Sequence, residues 1–251
     1  MRLWLVLGLL LLRIVSVQAG APATIDHFFT TSDGVRLHYL EAGSNHAHTI
    51  VLVPGWTMPA WIWSRQIAWF SRSYRVIAFD PRGQGDSQIA ATGYDQNRRG
   101  QDIAELIAAL GGRPVLLVGW SLGVLDALAY VHRHGDARLA GLVLIDNSVG
   151  ENPPPALSRT PTQAGRALPR SVMMRNFVRS MFVHKQPAPW LDRLTQAALR
   201  TPEPAADALL AYPVPRSYWK TAIYATHKPI LYIVRARLAG QAANLAANHR
   251  D

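Results

Sequence analysis

Residues 115–130 read Val115-Leu116-Leu117-Val118-Gly119-Trp120-Ser121-Leu122-Gly123-Val124-Leu125-Asp126-Ala127-Leu128-Ala129-Tyr130, and the turn in the middle of this stretch decides the fold. Four apolar β-formers in a row, without polar alternation, suit a strand covered on both faces. From Leu122 onward the apolar positions recur with helical spacing. Between the two lies Gly119-Trp120-Ser121-Leu122-Gly123. The two glycines permit a sharp, strained passage from strand to helix, which projects the Ser121 hydroxyl from the end of a sheet. The helix N-terminus behind Ser121 favours any negative charge that develops beside it.

Working outward, short apolar runs recur at 48–53, 74–79, 141–146 and 229–234, and helical patterns lie at 60–70, 97–110, 122–132 and 241–248. Segments 27–31 and 35–41 alternate around Ser32-Asp33-Gly34 and read as an N-terminal β-hairpin. Strands alternating with helices predict an α/β domain with a doubly wound, mostly parallel sheet. One stretch breaks the rhythm. Residues 151–226 carry no strand signal, open on Pro153-Pro154-Pro155, and then show two amphipathic stripes. Val172, Met173, Phe177, Val178, Met181 and Phe182 form the first, with Arg175 and Arg179 facing away; Trp190, Leu191, Leu194 and Ala198 form the second. Thr201-Pro202-Glu203 reads as a further helix start, with Thr201 as cap. The inserted block is expected to be a helical lid over a site, against the alternative of a helical layer packed for stability alone. The chain thus divides into a core at 20–150, a lid at 151–226 and a second core segment at 227–251.

Of the 251 residues 49% are hydrophobic and 17% charged, enough for one sizeable core. There is no cysteine, which excludes disulfides, thiolate metal sites and a cysteine nucleophile. Met1-Arg2, the apolar run from Leu3 to Leu12 and the small-x-small pattern Val17-Gln18-Ala19 read as an export signal over residues 1–19, too short for a stable membrane span. The expected location is therefore exported, periplasmic or secreted. The formal net charge is +10. Most of it sits in 151–228, where eight Arg and three Lys face Glu151, Asp192, Glu203 and Asp207. These cations are spread along helices rather than clustered, so they read as a solvated helix face and not as a nucleic-acid site. No metal-ligand constellation and no phosphate-cradling loop is present in the pattern, so no cofactor is implied.

Two further segments carry a resemblance. Val53-Pro54-Gly55-Trp56 follows the third strand, and Phe79-Asp80-Pro81-Arg82-Gly83-Gln84-Gly85-Asp86-Ser87 follows the fourth. With the serine elbow, these make the chain similar to the α/β-hydrolase family, serine esterases, lipases and perhydrolases in particular, over about residues 25–234. The resemblance implies acyl transfer through Ser121 on a small ester-like substrate, with Gly119 and Gly123 shaping the elbow. It implies an oxyanion hole from the backbone N–H groups of Leu122 and Trp56, Trp56 alternatively being a packing residue. Trp56, Trp61, Trp63 and Trp120 near the mouth point to an apolar acyl group. Asp80 and Asp86 are read as turn formers. For the acid, Asp146 after the sixth strand is the candidate, with Glu151 behind it.

The general base is the difficulty. The family supplies a histidine after an eighth strand, and the chain is read as lacking that last strand and its helix. His46, His48, His132, His134, His227 and His249 fall at the far ends of their elements, His27 and His38 belong to the hairpin, and only His184 in the insertion could overhang Ser121. Three readings stand: a truncated hydrolase, a pseudo-enzyme that keeps the pocket to bind a small apolar ligand, or a base from His184 or a partner. An unpaired Ile230-Leu231-Tyr232-Ile233-Val234 edge would carry an aggregation risk.

Overall fold

The computed structural model describes residues 23–155, 168–211 and 213–249. The expected export signal at 1–19 lies outside them, as do residues 156–167 of the insertion. The strands are β1 (Ile25–Thr30), β2 (Arg36–Ala42), β3 (Thr49–Val53), β4 (Arg75–Asp80), β5 (Val115–Trp120), β6 (Leu139–Ile145) and β7 (Ile230–Ile233). They form one seven-stranded sheet in the order β1-β2-β4-β3-β5-β6-β7. The hairpin β1–β2 is antiparallel and joins β4 antiparallel; every pairing from β4 through β7 is parallel. The helices are α1 (Ser64–Phe70), α2 (Gln96–Ala109), α3 (Leu122–His134), α4 (Arg170–Ser180), α5 (Ala188–Arg200), α6 (Glu203–Leu210), α7 (Arg216–Tyr224) and α8 (Ala239–Asn248), with a 3-10 turn at Ala60–Trp63 before α1.

The apolar runs have no polar alternation because each strand buries both of its faces. Val51, Val53, Ile77, Phe79, Leu117, Leu142 and Leu144 point to one side and pack with Ile103 and Leu106 of α2, Leu128 of α3, and Trp219 and Ile223 of α7. Their neighbours Ile50, Leu52, Val76, Ala78 and Val118 point to the other side, against Ala60, Trp63 and Ile67. Burying a Leu or Ile in this way contributes about 1.5–3 kcal/mol over leaving it exposed. β7 departs from the pattern. Ile230 and Tyr232 pack on the first core, but Leu231 and Ile233 on the reverse face are 55% and 47% exposed. Among the described strands β7 pairs with β6 alone, so its outer edge is open.

The insertion packs as two different units. α7 lies on α3 and, with α6, buries Ala205, Leu209, Trp219, Ala222 and Ile223 in the main core. Parallel neighbours such as β6 and β7 require a crossover element on one face, and α7 occupies that place. α4 and α5 are the excess. They pack on each other and enclose a separate small core of Met174, Val178, Leu194 and Ala198 around Met58 of the loop after β3. The periodicity of α4 therefore differs from the expected stripe: Met174 is buried, whereas Val172 and Met173 are exposed. Thr201 is not a helix cap either. α6 starts at Glu203 behind Pro202, and the Thr201 hydroxyl donates instead to the Gly83 carbonyl at 2.8 Å.

The basic residues of the insertion do more than solvate helices. Arg175 and Arg179 are exposed, but Arg170 donates to the carbonyls of Leu199 and Thr201, and Arg200 pairs with Asp86. Arg193 lies 4.4 Å over the Trp61 ring and Arg216 donates to the Glu151 carbonyl. These four use their charge or their flat guanidinium to stitch the insertion to itself and to the core.

A deeper charge network holds the loop that follows β4. Arg82 is fully buried; its Nε and Nη2 donate to Asp102 of α2 at 2.6 and 2.8 Å, and its Nη1 to Asp33 of the hairpin turn and to the Thr92 carbonyl, each at 3.1 Å. Arg98 completes the ring by donating to Asp102 at 2.8 Å. Removing one member of such a buried pair strands the other charge, at a cost of about 3–5 kcal/mol. Arg82→Met should therefore lower the free energy of unfolding by that amount, read as a fall in the urea midpoint at unchanged slope. A loss under about 1 kcal/mol would mean that Arg98 alone satisfies Asp102.

Candidate active site

Strand register assembles the site. Val53 at the end of β3 pairs with Gly119 of β5, and Trp120 at the end of β5 pairs with Ile145 at the end of β6. Neighbouring strands are about 4.8 Å apart, so the residues just beyond these pairs, Pro54 to Trp56, Ser121 and Asp146, meet at one edge of the sheet. Ser121 N–H donates to the Ile145 carbonyl at 2.8 Å, and Asn147 Nδ2 donates back to the Ser121 carbonyl at 2.8 Å. Gly55 stands so close that a Cβ there would lie 3.2 Å from Ser121 Cβ.

The elbow works differently from the simple expectation that its glycines supply the strained backbone. Neither Gly119 nor Gly123 has a positive φ; Ser121 itself does, at φ 53 and ψ −116. The glycines are required by crowding. A Cβ on Gly119 would run into the Gly123 backbone, and one on Gly123 into the Val53 and Pro54 carbonyls. A non-glycine residue in this region costs about 1–3 kcal/mol and persists only where its surroundings over-determine it.

Ser121, Asp146, Trp56, Trp120, Met58 and Gly55 line one cleft of ≈ 250 Å³, with Phe177, Ser180, Met181, Val183 and Arg235 completing its lining. Neither the Trp56 nor the Leu122 backbone N–H has an acceptor among the described residues. Of the four tryptophans expected at the mouth, Trp56 and Trp120 line this cleft; Trp61 packs edge-on against Trp190, and Trp63 against Trp120.

Asp146, also at positive φ (57), is brought to the cleft. Its carboxylate faces two cations, Arg235 at 2.6 Å and Arg237 at 3.7 Å. Among the described residues after β7 there is no Asp or Glu, and the two arginines there both face Asp146. Burial and the Asp146 charge push the neighbouring Tyr232 phenol up to about 12, and its hydroxyl donates to the Asn147 carbonyl at 2.7 Å. Glu151 is not brought to Ser121. It accepts from Tyr224 at 2.7 Å and pairs with Lys220 at 3.1 Å, against α7.

None of the nine histidines, all among the described residues, lines the cleft. His184 is exposed on a separate depression with Lys185 and Arg179, and it is its neighbour Val183, 97% exposed, that reaches the cleft. His132 lies against Tyr218 and His134 on Tyr130. His249 has its ring on the Ile223 carbonyl, His27 stacks on Tyr39, and the His227 N–H donates to Asp136.

Sequence reasoning missed the layer beneath the site. Asp80, expected only as a turn former, ends β4 fully buried, and its carboxylate accepts from the backbone N–H groups of Ala60 and Asp86. It also faces His38 Nδ1 at 2.6 Å, while Asp26 faces His38 Nε2 at 2.9 Å. Gln84, also buried, accepts from the Thr57 N–H, and Thr57 joins Ser121 and Asp146 as a third non-glycine residue at positive φ (59). The loop that carries Trp56 is thus held from below by two side chains of the Phe79 to Ser87 segment. The motif itself flagged that segment; the antiparallel register that sets His38 opposite Asp80 left no signal in it. His38, Asp80 and Asp86 bring three ligand atoms within 4.8 Å of one another. Both His38 nitrogens are engaged, by Asp80 and Asp26, and Asp86 is paired with Arg200, so each of the three already has a partner.

Comparison with known proteins follows this geometry. The profile of the alpha/beta hydrolase family matches residues 50–249. A non-heme haloperoxidase of Rhodococcus erythropolis is 40% identical over 119 residues, 47% of this chain and 43% of that protein. The bifunctional esterase/perhydrolase DCH of Acinetobacter calcoaceticus is 31% identical over 167 residues, 64% of this chain and 58% of that protein. The chain thus spans about half the length of the curated relatives it matches. The crystal structure of the esterase RhEst1 from Rhodococcus sp. ECU1013 superposes with a TM-score of 0.64 at 22% identity, covering 90% of this chain and 99% of that one, a likeness of fold.

Two outcomes test the site's construction. Gly123→Ala should destabilise the protein by about 1–3 kcal/mol, the usual range for an added methyl in a filled space, with a matching fall in thermal midpoint. The second concerns His38. Burial opposes its charged form, but the hydrogen bond and charge of Asp80 and the hydrogen bond to Asp26 outweigh it and hold the ring above its ordinary 6.5. A raised pKa stabilises the folded state fully below the unfolded value and loses that contribution as pH climbs through the folded one. The stability gap between the native chain and His38→Gln should therefore be largest below about pH 6.5 and shrink above it. A gap that grows with pH, followed by urea titration, would reject the assignment.

Proposed function

The chain belongs to the alpha/beta hydrolase family, and from that premise we propose that it is a serine hydrolase cleaving small carboxylic esters by acyl transfer through Ser121. The observation that carries this reading is the strained Ser121 backbone at the β5–α3 elbow, beside the Trp56 and Leu122 N–H groups, which have no acceptor among the described residues. Ser121 Oγ attacks the ester carbonyl; the new O–C bond displaces the carbonyl π electrons onto oxygen, which the Trp56 and Leu122 N–H groups receive. Collapse of this intermediate breaks the ester C–O bond, and the proton lost from Ser121 Oγ passes through solvent to the departing alkoxide, which leaves as the alcohol. Water then hydrolyses the acyl-serine to a carboxylic acid. Asp146 is the acid of this arrangement, α4 and α5 its cover, and residues 1–19 its export signal to the periplasm or beyond. No helix of the described residues is long and apolar enough to cross a membrane. That the relatives are named haloperoxidase and perhydrolase as well as esterase fits the same nucleophile and donor pair serving more than one acyl acceptor.

One observation favours a second reading. No histidine among the described residues lines the cleft, and the Asp146 carboxylate is occupied by Arg235. A pseudo-hydrolase that binds a small apolar ligand without turning it over has the same walls. A fluorophosphonate probe separates the two. On the hydrolase reading the purified chain labels at Ser121, slowed by several powers of ten relative to a serine with a general base in reach, and Ser121→Ala abolishes labelling. If labelling of the native chain stays at the Ser121→Ala background over long exposure, acyl transfer is excluded and the binding reading stands.

A further inference from the structure

The Ser121 cleft holds more positive charge than its own acid balances. Asp146 is the one acidic residue in the lining, and two guanidinium groups face it. Arg235 lines the cleft and meets Asp146 Oδ2 through Nη2 alone, at 2.6 Å. Arg237 stands 3.7 Å from Oδ1, beyond hydrogen-bond reach, and Oδ1 accepts no hydrogen bond from any described residue. Neither guanidinium has a further ion-pair partner among the described residues, so one positive charge is left over. The backbone under both groups is fixed. Asp146 N–H donates to the Ile233 carbonyl at 2.8 Å, and Leu238 N–H to the Arg235 carbonyl at 2.9 Å. A neighbouring depression that shares Val183 with the cleft adds Arg179 and Lys185 and no acid.

We propose that Arg235 and Arg237 make the Ser121 cleft a site for a ligand that bears a free carboxylate, so that the ester taken at Ser121 is the monoester of a short dicarboxylic acid. That an ester is the form bound rests on the acyl-transfer reading above; recognition of the carboxylate by the arginines does not. Several features select this ligand. A guanidinium presents a planar fork of donors that fits a carboxylate, and most of the donors on these two groups are unengaged. The charge left over matches a single carboxylate, whereas a phosphate monoester brings nearly two negative charges. The cleft measures ≈ 250 Å³, below the about 300–1,000 Å³ of common small-ligand sites, which limits the chain between the two ends to a few carbons. Its walls of Met58, Trp120, Phe177 and Met181 replace water on one side of the ligand, and a lower local dielectric strengthens the attraction. Stability gives no reason for the second cation, because an exposed ion pair adds little to a fold.

The test compares monomethyl glutarate with dimethyl glutarate, an anion and a neutral diester on one carbon skeleton. Binding is measured by calorimetry to the Ser121→Ala chain, so that neither ester is consumed. The anion should bind about tenfold more tightly, the effect of a charge-assisted hydrogen bond at a partly exposed site. That margin should shrink as ionic strength rises. Arg235→Gln, added to the same chain, should cut the margin to about twofold, and Arg237→Gln should reduce it less. Asp146→Asn, which releases both arginines, should widen it. Thermal unfolding checks that each variant is folded. Equal binding of the two esters, binding of neither, or a margin that survives Arg235→Gln in folded protein overturns the proposal. Inorganic phosphate binding more tightly than the monoester overturns it as well. An Arg235-dependent margin without fluorophosphonate labelling of the native chain keeps the carboxylate site and removes acyl transfer; labelling with equal binding of the two esters does the reverse.

Discussion

The rest of the site depends on how closely α3 starts behind β5. The chain reverses from strand to helix within one residue, and the start of α3 is pressed against the end of β3. That contact tolerates no side chain at Gly119 or Gly123, and it leaves Ser121 as the residue that absorbs the turn, at φ 53. The strain is held by neighbours on both sides, Ile145 accepting from its N–H and Asn147 donating to its carbonyl. The positive φ sets the direction in which the side chain leaves the backbone, and Ser121 lines the cleft. The same tightness puts the loop after β3 within van der Waals reach of the serine, which is why Gly55 and Trp56 line the same cleft.

That loop has little secondary structure of its own, and its shape is imposed by buried polar side chains. Asp80 and Gln84 reach up from the β4 loop to the backbone N–H groups of Ala60 and Thr57. Arg82, between them in sequence, reaches down to Asp102 and Asp33. One nine-residue segment therefore anchors the site loop above it and is itself anchored to α2 and the hairpin below. Satisfied networks of this kind specify one arrangement, and each loses heavily when a single partner goes. Thr57, at positive φ, is held in place by the same constraint.

The insertion shows how one stretch of chain meets two demands. α7 is needed to connect β6 to β7 and is buried like any core helix. α4 and α5 meet no such need; their shared core closes on Met58, and Phe177 and Ser180 of α4 line the Ser121 cleft. The exposed Leu231 and Ile233 mark the opposite case, an apolar face of β7 that no described element covers.

Much of this was legible in the residues alone. Unbroken runs of Val, Leu and Ile announce strands buried on both faces, and their alternation with helical periods dictates a wound parallel sheet, because both are properties of local sequence. The elbow was legible for the same reason: Gly-x-Ser-x-Gly between a strand and a helix has one steric solution. What the tertiary structure alone decided is everything set by register and by partners distant in sequence. The pairing of β2 with β4 puts His38 against Asp80, and the end of β7 turns Arg235 onto Asp146. Packing against α3 sends Glu151 to Tyr224 and away from Ser121. Helical spacing could show that 170–182 has an apolar face, but whether Met173 or Met174 fills the core depends on the angle at which α4 meets its neighbours. A local pattern determines which faces must be buried; the partner of each face, and of each buried charge, is chosen by the fold as a whole.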